Sequence, residues 1–240
     1  MASQPDIIQI AADSPCPCRS GKVTAECCMA ADGAFRVRVP SPHPPGGITG
    51  FSHADCYMRD TRNCSEDISH EHWLSQSVLD LLAERTVDVV FPWDDAERKT
   101  AAGMQNLTAG ILCARHNEAL APLDAVAVQA FGNLIDAIIY VTKKSLATKR
   151  AFYAVSGEGL ELWALKLLFG AWHATLAAQD GDAFKGAHPP DVGIFQKALE
   201  DGALARPCGL YVRSAGQADA GVNWETEKRV AGLRFVVGPL

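Results

Sequence analysis

Four of the eight cysteines in this 240-residue chain stand in one short window, Pro-Cys16-Pro-Cys18-Arg-Ser-Gly-Lys-Val-Thr-Ala-Glu-Cys27-Cys28. Two close pairs separated by eight residues constrain the segment more than any hydrophobic pattern could, because so short a stretch has almost no apolar core. A turn that brings the pairs together supplies a closed tetrahedron of thiolates, the arrangement a structural Zn²⁺ prefers. Arg19-Ser-Gly-Lys22 is suited to be that turn, with Gly21 free to take a positive φ. Metal binding then provides the folding free energy of the segment, on the order of 10 kcal/mol for a structural site. A disulfide is a poor alternative, since adjacent cysteines rarely bridge.

The surroundings agree with a reducing compartment. The first fifteen residues carry Asp6 and Asp13 and lack a basic start followed by an apolar run, so a secretory signal is not expected. No apolar run is long enough to span a bilayer. We expect a cytoplasmic protein with no membrane partner, whose clustered thiols bind metal. The composition, 48% hydrophobic and 21% charged, is that of a globular chain. A net charge of −6 argues against a protein that coats nucleic acid non-specifically. It leaves room for one that meets phosphate through a metal ion and a local patch such as Lys143, Lys144, Lys149 and Arg150, which also reads as a solvated helix end.

The first window, with its Cys-Pro-Cys-Arg-Ser-Gly start and its Cys-Cys end, resembles the SEC-C zinc motif. That motif occurs at the C-terminus of the preprotein-translocase motor ATPase and as an appendage on many bacterial proteins. The resemblance implies a zinc-bound docking module, with Cys16, Cys18, Cys27 and Cys28 as ligands and a protein partner. We delimit the module as 1–38. Residues 39–50 contain the Pro- and Gly-rich Val-Pro-Ser-Pro-His-Pro-Pro-Gly-Gly-Ile-Thr-Gly and read as a linker.

Residues 51–124 hold a second set of metal-ligand residue types. Cys113-x-x-His116 has zinc-ligand spacing, and Cys56 and Cys64 complete four ligands from the other end of the segment. His53 is an alternative to Cys56. Glu71-His72, Asn106-Leu107 and Leu112-Cys-Ala-Arg-His-Asn117 follow in an order that resembles the HNH endonucleases, a ββα-metal family. Members of that family carry a cysteine pair, an Asp-His loop, an Asn-Leu and a final Leu-Cys-x-x-Cys-Asn at a helix start.

The resemblance implies hydrolysis of nucleic-acid phosphodiester bonds, DNA first, in a bacterial setting. His72 would be the general base and Asn106 would orient its ring or the loop. Glu71 and Asn117 would hold a catalytic Mg²⁺ or Mn²⁺, beside a structural Zn²⁺ on Cys56, Cys64, Cys113 and His116. The chain departs from the family in the seven residues between Cys56 and Cys64, in His116 for the fourth cysteine, and in Glu for Asp before the base. His70 would be the base if the register slipped by two. A non-enzymatic zinc adaptor that docks nucleic acid or protein, and a ribonuclease, are the competing readings. No His-Glu-x-x-His occurs, which excludes the common metalloprotease arrangement.

The rest, 125–240, reads as a helical domain. Val128, Phe131, Ile135, Ile138 and Thr142 recur at helical steps, with Pro122 in the first turn. Leu160, Trp163, Leu167, Ala171 and Ala174 mark a second helix, after a turn at Gly157 and Gly159 and before Gln-Asp-Gly-Asp (179–182). The aromatic stripe of Phe131, Trp163 and Trp172 is core, and His173, His188 and Cys208 are structural. Thr86–Phe91 reads as a strand and 93–103 as a polar insertion. Cys-Gly-Leu-Tyr-Val and Gly-Leu-Arg-Phe-Val-Val-Gly near the end read as a β-hairpin. The expected fold is α+β: an N-terminal zinc module, an HNH-like ββα-metal module, and a helical C-terminal region with a short terminal hairpin.

Overall fold

The computed structural model describes residues 10–35, 37, 39, 41–82, 86–89, 100–103, 107–142, 153–178 and 191–205. After the cysteine window the elements run β1 (Ile68–His72), α1 (Gln76–Leu82), β2 (Thr86–Val89), β3 (Thr100–Gly103), β4 (Thr108–Cys113), α2 (Ala114–Thr142), α3 (Gly157–Ala178) and α4 (Val192–Asp201). The fold is mostly helical α+β. The strands β1 and β4 form an antiparallel pair, and β2 and β3 form a second one inserted between them. The strand expected at Thr86 is present. The insertion expected at 93–103 is corrected in part, because Thr100–Gly103 is β3 and pairs with β2. The terminal hairpin, His188, Cys208 and the Lys143–Arg150 patch lie outside the described residues.

The β1–β4 pair organises the region that holds the candidate site residues. Ile68 stands opposite Cys113 and Ser69 opposite Leu112, whereas Glu71 stands opposite Ala109 and His72 opposite Thr108. The register therefore shifts at His70, where Gly110 and Ile111 together face one residue, a bulge in β4. A side chain at 110 would crowd the Ile68 methyl at 3.1 Å, which explains the glycine there. Leaving β4, the chain enters α2 with no intervening loop.

α2 begins eight residues before the start expected at Pro122, which lies inside the helix. A proline there removes one N–H bond to the carbonyl four residues back, that of Glu118, at a typical cost of about 3 kcal/mol. Glu118 and Pro122 are both exposed, so water can serve that carbonyl. The helix consequently runs through 124 and 125, and the metal-bearing region and the helical region share it. α3 ends where expected, but Gly157 opens the helix instead of standing in a turn before it. Ser156 closes that end, its Oγ accepting from the Gly159 N–H at 3.0 Å.

One apolar core joins these parts. It includes Leu112, Leu120, Leu123, Phe131, Trp163 and Phe195, and it is continuous with Cys56, Cys64 and Cys113. Phe131, Trp163 and Trp172 are buried as the stripe requires, with Phe131 edge-on to Trp163 at 5.4 Å. α4 was not anticipated. Asp191 caps its start, accepting from the Gly193 N–H at 2.8 Å, and Gly202 takes the left-handed conformation past its end. Its buried Phe195, Ala198 and Leu199 supply the helical face. Among the described residues no helix is long and apolar enough to cross a membrane.

Candidate metal centres

In the N-terminal window backbone hydrogen bonds turn the chain back on itself. Pro15 bridges Val23, and the Cys16 N–H donates to the Lys22 carbonyl at 2.9 Å. The turn between them uses two left-handed residues, Gly21 as expected and also Arg19, a less common choice. Thr24 is the hub that sequence reasoning missed. It is fully buried, its Oγ1 donates to the Ser14 carbonyl at 3.0 Å, and its own carbonyl accepts from the N–H groups of Cys27, Cys28 and Met29. That fan of bonds folds the Cys-Cys pair back over Cys16 and Cys18.

The ligand atoms of Cys16, Cys18, Cys27 and Cys28 all lie within 4.8 Å of one another. Cys27 Sγ is 3.4 Å from Cys18 Sγ and 3.6 Å from Cys28 Sγ. Those separations are far beyond a disulfide and near the edge of a zinc–thiolate tetrahedron, about 3.8 Å for Zn–S bonds of about 2.3 Å. The thiols are not equivalent. Burial works to raise Cys18, but hydrogen bonds from Ser20 and Cys16 outweigh it and bring that thiol down to about 6. Burial raises Cys16 and Cys28. One thiolate forms readily and its neighbours resist a second charge, a conflict that a bound divalent cation resolves.

This window is docked on the helices. The Gln129 amide donates to the Cys18 carbonyl, Arg19 pairs with Asp136, and the Ala154 N–H donates to the Pro17 carbonyl at 3.0 Å. The stretch expected to be a linker is also held. Arg115 donates to the carbonyls of Pro45 and Gly47 at 2.8 and 2.9 Å, and Thr49 Oγ1 donates to the Cys64 carbonyl at 2.8 Å.

The second cluster gathers Cys56, Cys64, Cys113 and His116 within 4.8 Å. Each ligand comes from a different local device. Cys56 precedes a short 3₁₀ turn at Arg59–Thr61, and Cys64 follows it after Arg62 in the left-handed conformation. Cys113 ends β4 and His116 lies in the first turn of α2. All four are at most 3% exposed, so the cluster is closed, as structural zinc sites are. His53 is not among the ligands. Its Nδ1 accepts from the Asp55 N–H at 3.2 Å, and Cys56 holds the position despite its long separation from Cys64.

His116 Nδ1 lies 3.1, 3.5 and 3.7 Å from the sulfurs of Cys113, Cys56 and Cys64. A tetrahedral zinc site requires N···S edges of about 3.6 Å. Burial, reinforced by Arg115, lowers His116 to about 4, which keeps its imidazole neutral and able to ligate. Burial raises Cys56 and Cys64, whereas Cys113 ends up lowered because backbone N–H groups, Ser65 at 3.4 Å among them, outweigh its burial.

The residues assigned to catalysis are less uniformly gathered. Glu71 and His72 end β1, with His72 half-buried. His70 is exposed. Asn106 lies outside the described residues. Asn117 follows the ligand His116 directly, and its Nδ2 donates to Ser69 Oγ at 2.8 Å, two positions before Glu71 along β1. Its Oδ1 is buried and has no hydrogen-bond partner among the described residues. Ser69 was not singled out in the sequence, though a hydroxyl two positions before a Glu-His pair is a readable signal. No hydrogen bond among the described residues joins the His72 ring to Asn117. No protein-family model, curated protein or solved structure matches the chain.

Proposed function

We propose that the chain is a metal-dependent phosphodiesterase of the ββα-metal type acting on nucleic acid, DNA first, built on two structural Zn²⁺ ions. The observation that carries this reading is Asn117. An amide anchored to β1 through its nitrogen, with its oxygen buried and unpartnered, offers an oxygen donor of the kind a hard cation accepts. The antiparallel β1–β4 pair that leads straight into α2 beside a closed Cys3His cluster adds support.

In this reading Glu71 and Asn117 would hold Mg²⁺ or Mn²⁺, which would supply positive charge at the scissile phosphate and the departing oxygen. His72, next to Glu71 at the end of β1, takes the proton of the attacking water. Ser69 fixes which face of the Asn117 amide is turned to the cation. The Cys3His cluster holds the end of β4 against the first turn of α2, and so keeps Asn117 over β1.

Purified protein with Mg²⁺ or Mn²⁺ is expected to nick plasmid DNA, and His72→Ala to abolish nicking while retaining both zinc ions. Equal cleavage by the variant, or no cleavage of DNA or RNA by the wild type, refutes the assignment. The second reading, a zinc adaptor without enzymatic activity, is favoured by the net charge of −6 and by the closure of the Cys3His cluster. A magnesium titration followed by NMR separates the two, since an adaptor has no hard-cation site beside Asn117.

A further inference from the structure

We infer that Thr61 is the positioning residue of the Cys3His centre: it selects the ring tautomer of His116 and turns Nδ1, not Nε2, toward the metal. The inference rests on the zinc reading of that cluster. Thr61 Oγ1 lies 3.1 Å from His116 Nε2 and donates to the Met58 carbonyl at 2.7 Å. A hydroxyl has one proton. With that proton committed to Met58, the oxygen can only accept from the ring, so Nε2 carries the hydrogen.

The neutral ring then has its lone pair on Nδ1, the atom that faces the three sulfurs at 3.1 to 3.7 Å. Metal-bound histidines commonly donate their second N–H to an outer acceptor, which fixes ring orientation and raises ligand basicity. Here that acceptor comes from the 3₁₀ turn between Cys56 and Cys64. The seven intervening residues therefore carry the hydroxyl that orients a third ligand far away in sequence. A tighter cysteine pair would leave no room for it.

The test uses the full chain as wild type, Thr61→Val and Thr61→Ser. Zinc content is measured first, then zinc affinity by competition with a chromophoric chelator. The wild type is expected to hold two zinc ions. Thr61→Val should weaken one of them by about 10- to 100-fold while Thr61→Ser holds both as the wild type does. A wild type with fewer than two zinc ions that loses none of them on Cys113→Ser removes the centre itself. Two ions together with an unaffected Thr61→Val removes only the role of Thr61. Long-range ¹H–¹⁵N correlation on the zinc-loaded wild type reads the tautomer without any substitution. A protonated Nε2 and a metal-bound Nδ1 are expected, and a metal-bound Nε2 overturns the inference.

Discussion

Lys166 on α3 and Asp124 on α2 form an ion pair of 2.7 Å, their side chains only 4% and 16% exposed. At an effective dielectric of about 20, Coulomb attraction at that distance is on the order of 6 kcal/mol. Withdrawing each ion from water costs several kcal/mol, so the intact pair contributes little net stability. The asymmetry appears when one partner is removed. Lys166→Met keeps most of the volume but leaves the Asp124 carboxylate deprived of the Lys166 ammonium in a nearly dry site. Breaking a buried pair in this way costs about 3–5 kcal/mol. We expect about 3 kcal/mol, the low end, because Asp124 keeps some contact with water. Asp124→Leu combined with Lys166→Met should recover most of the loss and return to within about 1 kcal/mol of wild type. Urea unfolding of the zinc-loaded protein, followed by tryptophan fluorescence, reads both values. A Lys166→Met cost below about 1 kcal/mol, or a double variant as unstable as the single one, would refute the argument that the pair is balanced by desolvation.

Two other expectations follow from the packing. His173 is stacked on Tyr57 at 5.2 Å, and burial, with Arg59 nearby, lowers it to about 4. Between about pH 6.5 and 4 the unfolded state therefore binds more protons than the folded one. The stability is whole above about pH 6.5 and declines as the pH falls, by about 1–2 kcal/mol at pH 5. His173→Phe should show that much less loss than wild type in urea midpoints compared at about pH 7 and pH 5, and parallel losses would contradict it. Gly170 on α3 touches the chain just after β1, where an added Cβ would meet Trp73 Cβ at 3.2 Å and its carbonyl oxygen at 3.3 Å, so Gly170→Val should cost about 1–3 kcal/mol. Gly132 in α2 has open space at that position, and Gly132→Ala should stabilise by about 0.5–1 kcal/mol, both read as shifts in the thermal midpoint.

Both four-ligand clusters were legible in the sequence because coordination chemistry is demanding. Few residue types ligate zinc, and once Cys113-x-x-His116 is seen, two more ligands are required. Even the long Cys56–Cys64 separation was no obstacle, since a 3₁₀ turn and a left-handed Arg62 shorten it. The start of α2 was not legible, because Pro122 is a good first-turn residue. The alternative, a proline tolerated on an exposed helix face, depends on which side of the helix meets water, and that is a tertiary fact. α4 had readable ends in Asp191 and Gly202, but its apolar face is only three residues long. The docking of the cysteine window on α2 had no signal at all, because Gln129, Arg19 and Asp136 are ordinary surface residue types until they meet.

The two halves of the candidate site are joined by one turn of helix. His116 and Asn117 are neighbours in α2, one facing the thiol cluster and the other bonded to Ser69 on β1. The same junction is fixed from outside by the Ala114 N–H on the Asp67 carbonyl and the Tyr57 N–H on the Ile111 carbonyl. Moving the start of α2 along β1 would therefore break the cluster and the Asn117–Ser69 bond together. In the proposed reading a metal held by these four buried ligands would act only through position, by setting where the Asn117 amide stands relative to the strand that ends in Glu71 and His72. If the proposed reading holds, a variant that keeps zinc yet shifts the helix start should lose plasmid nicking as fully as His72→Ala does.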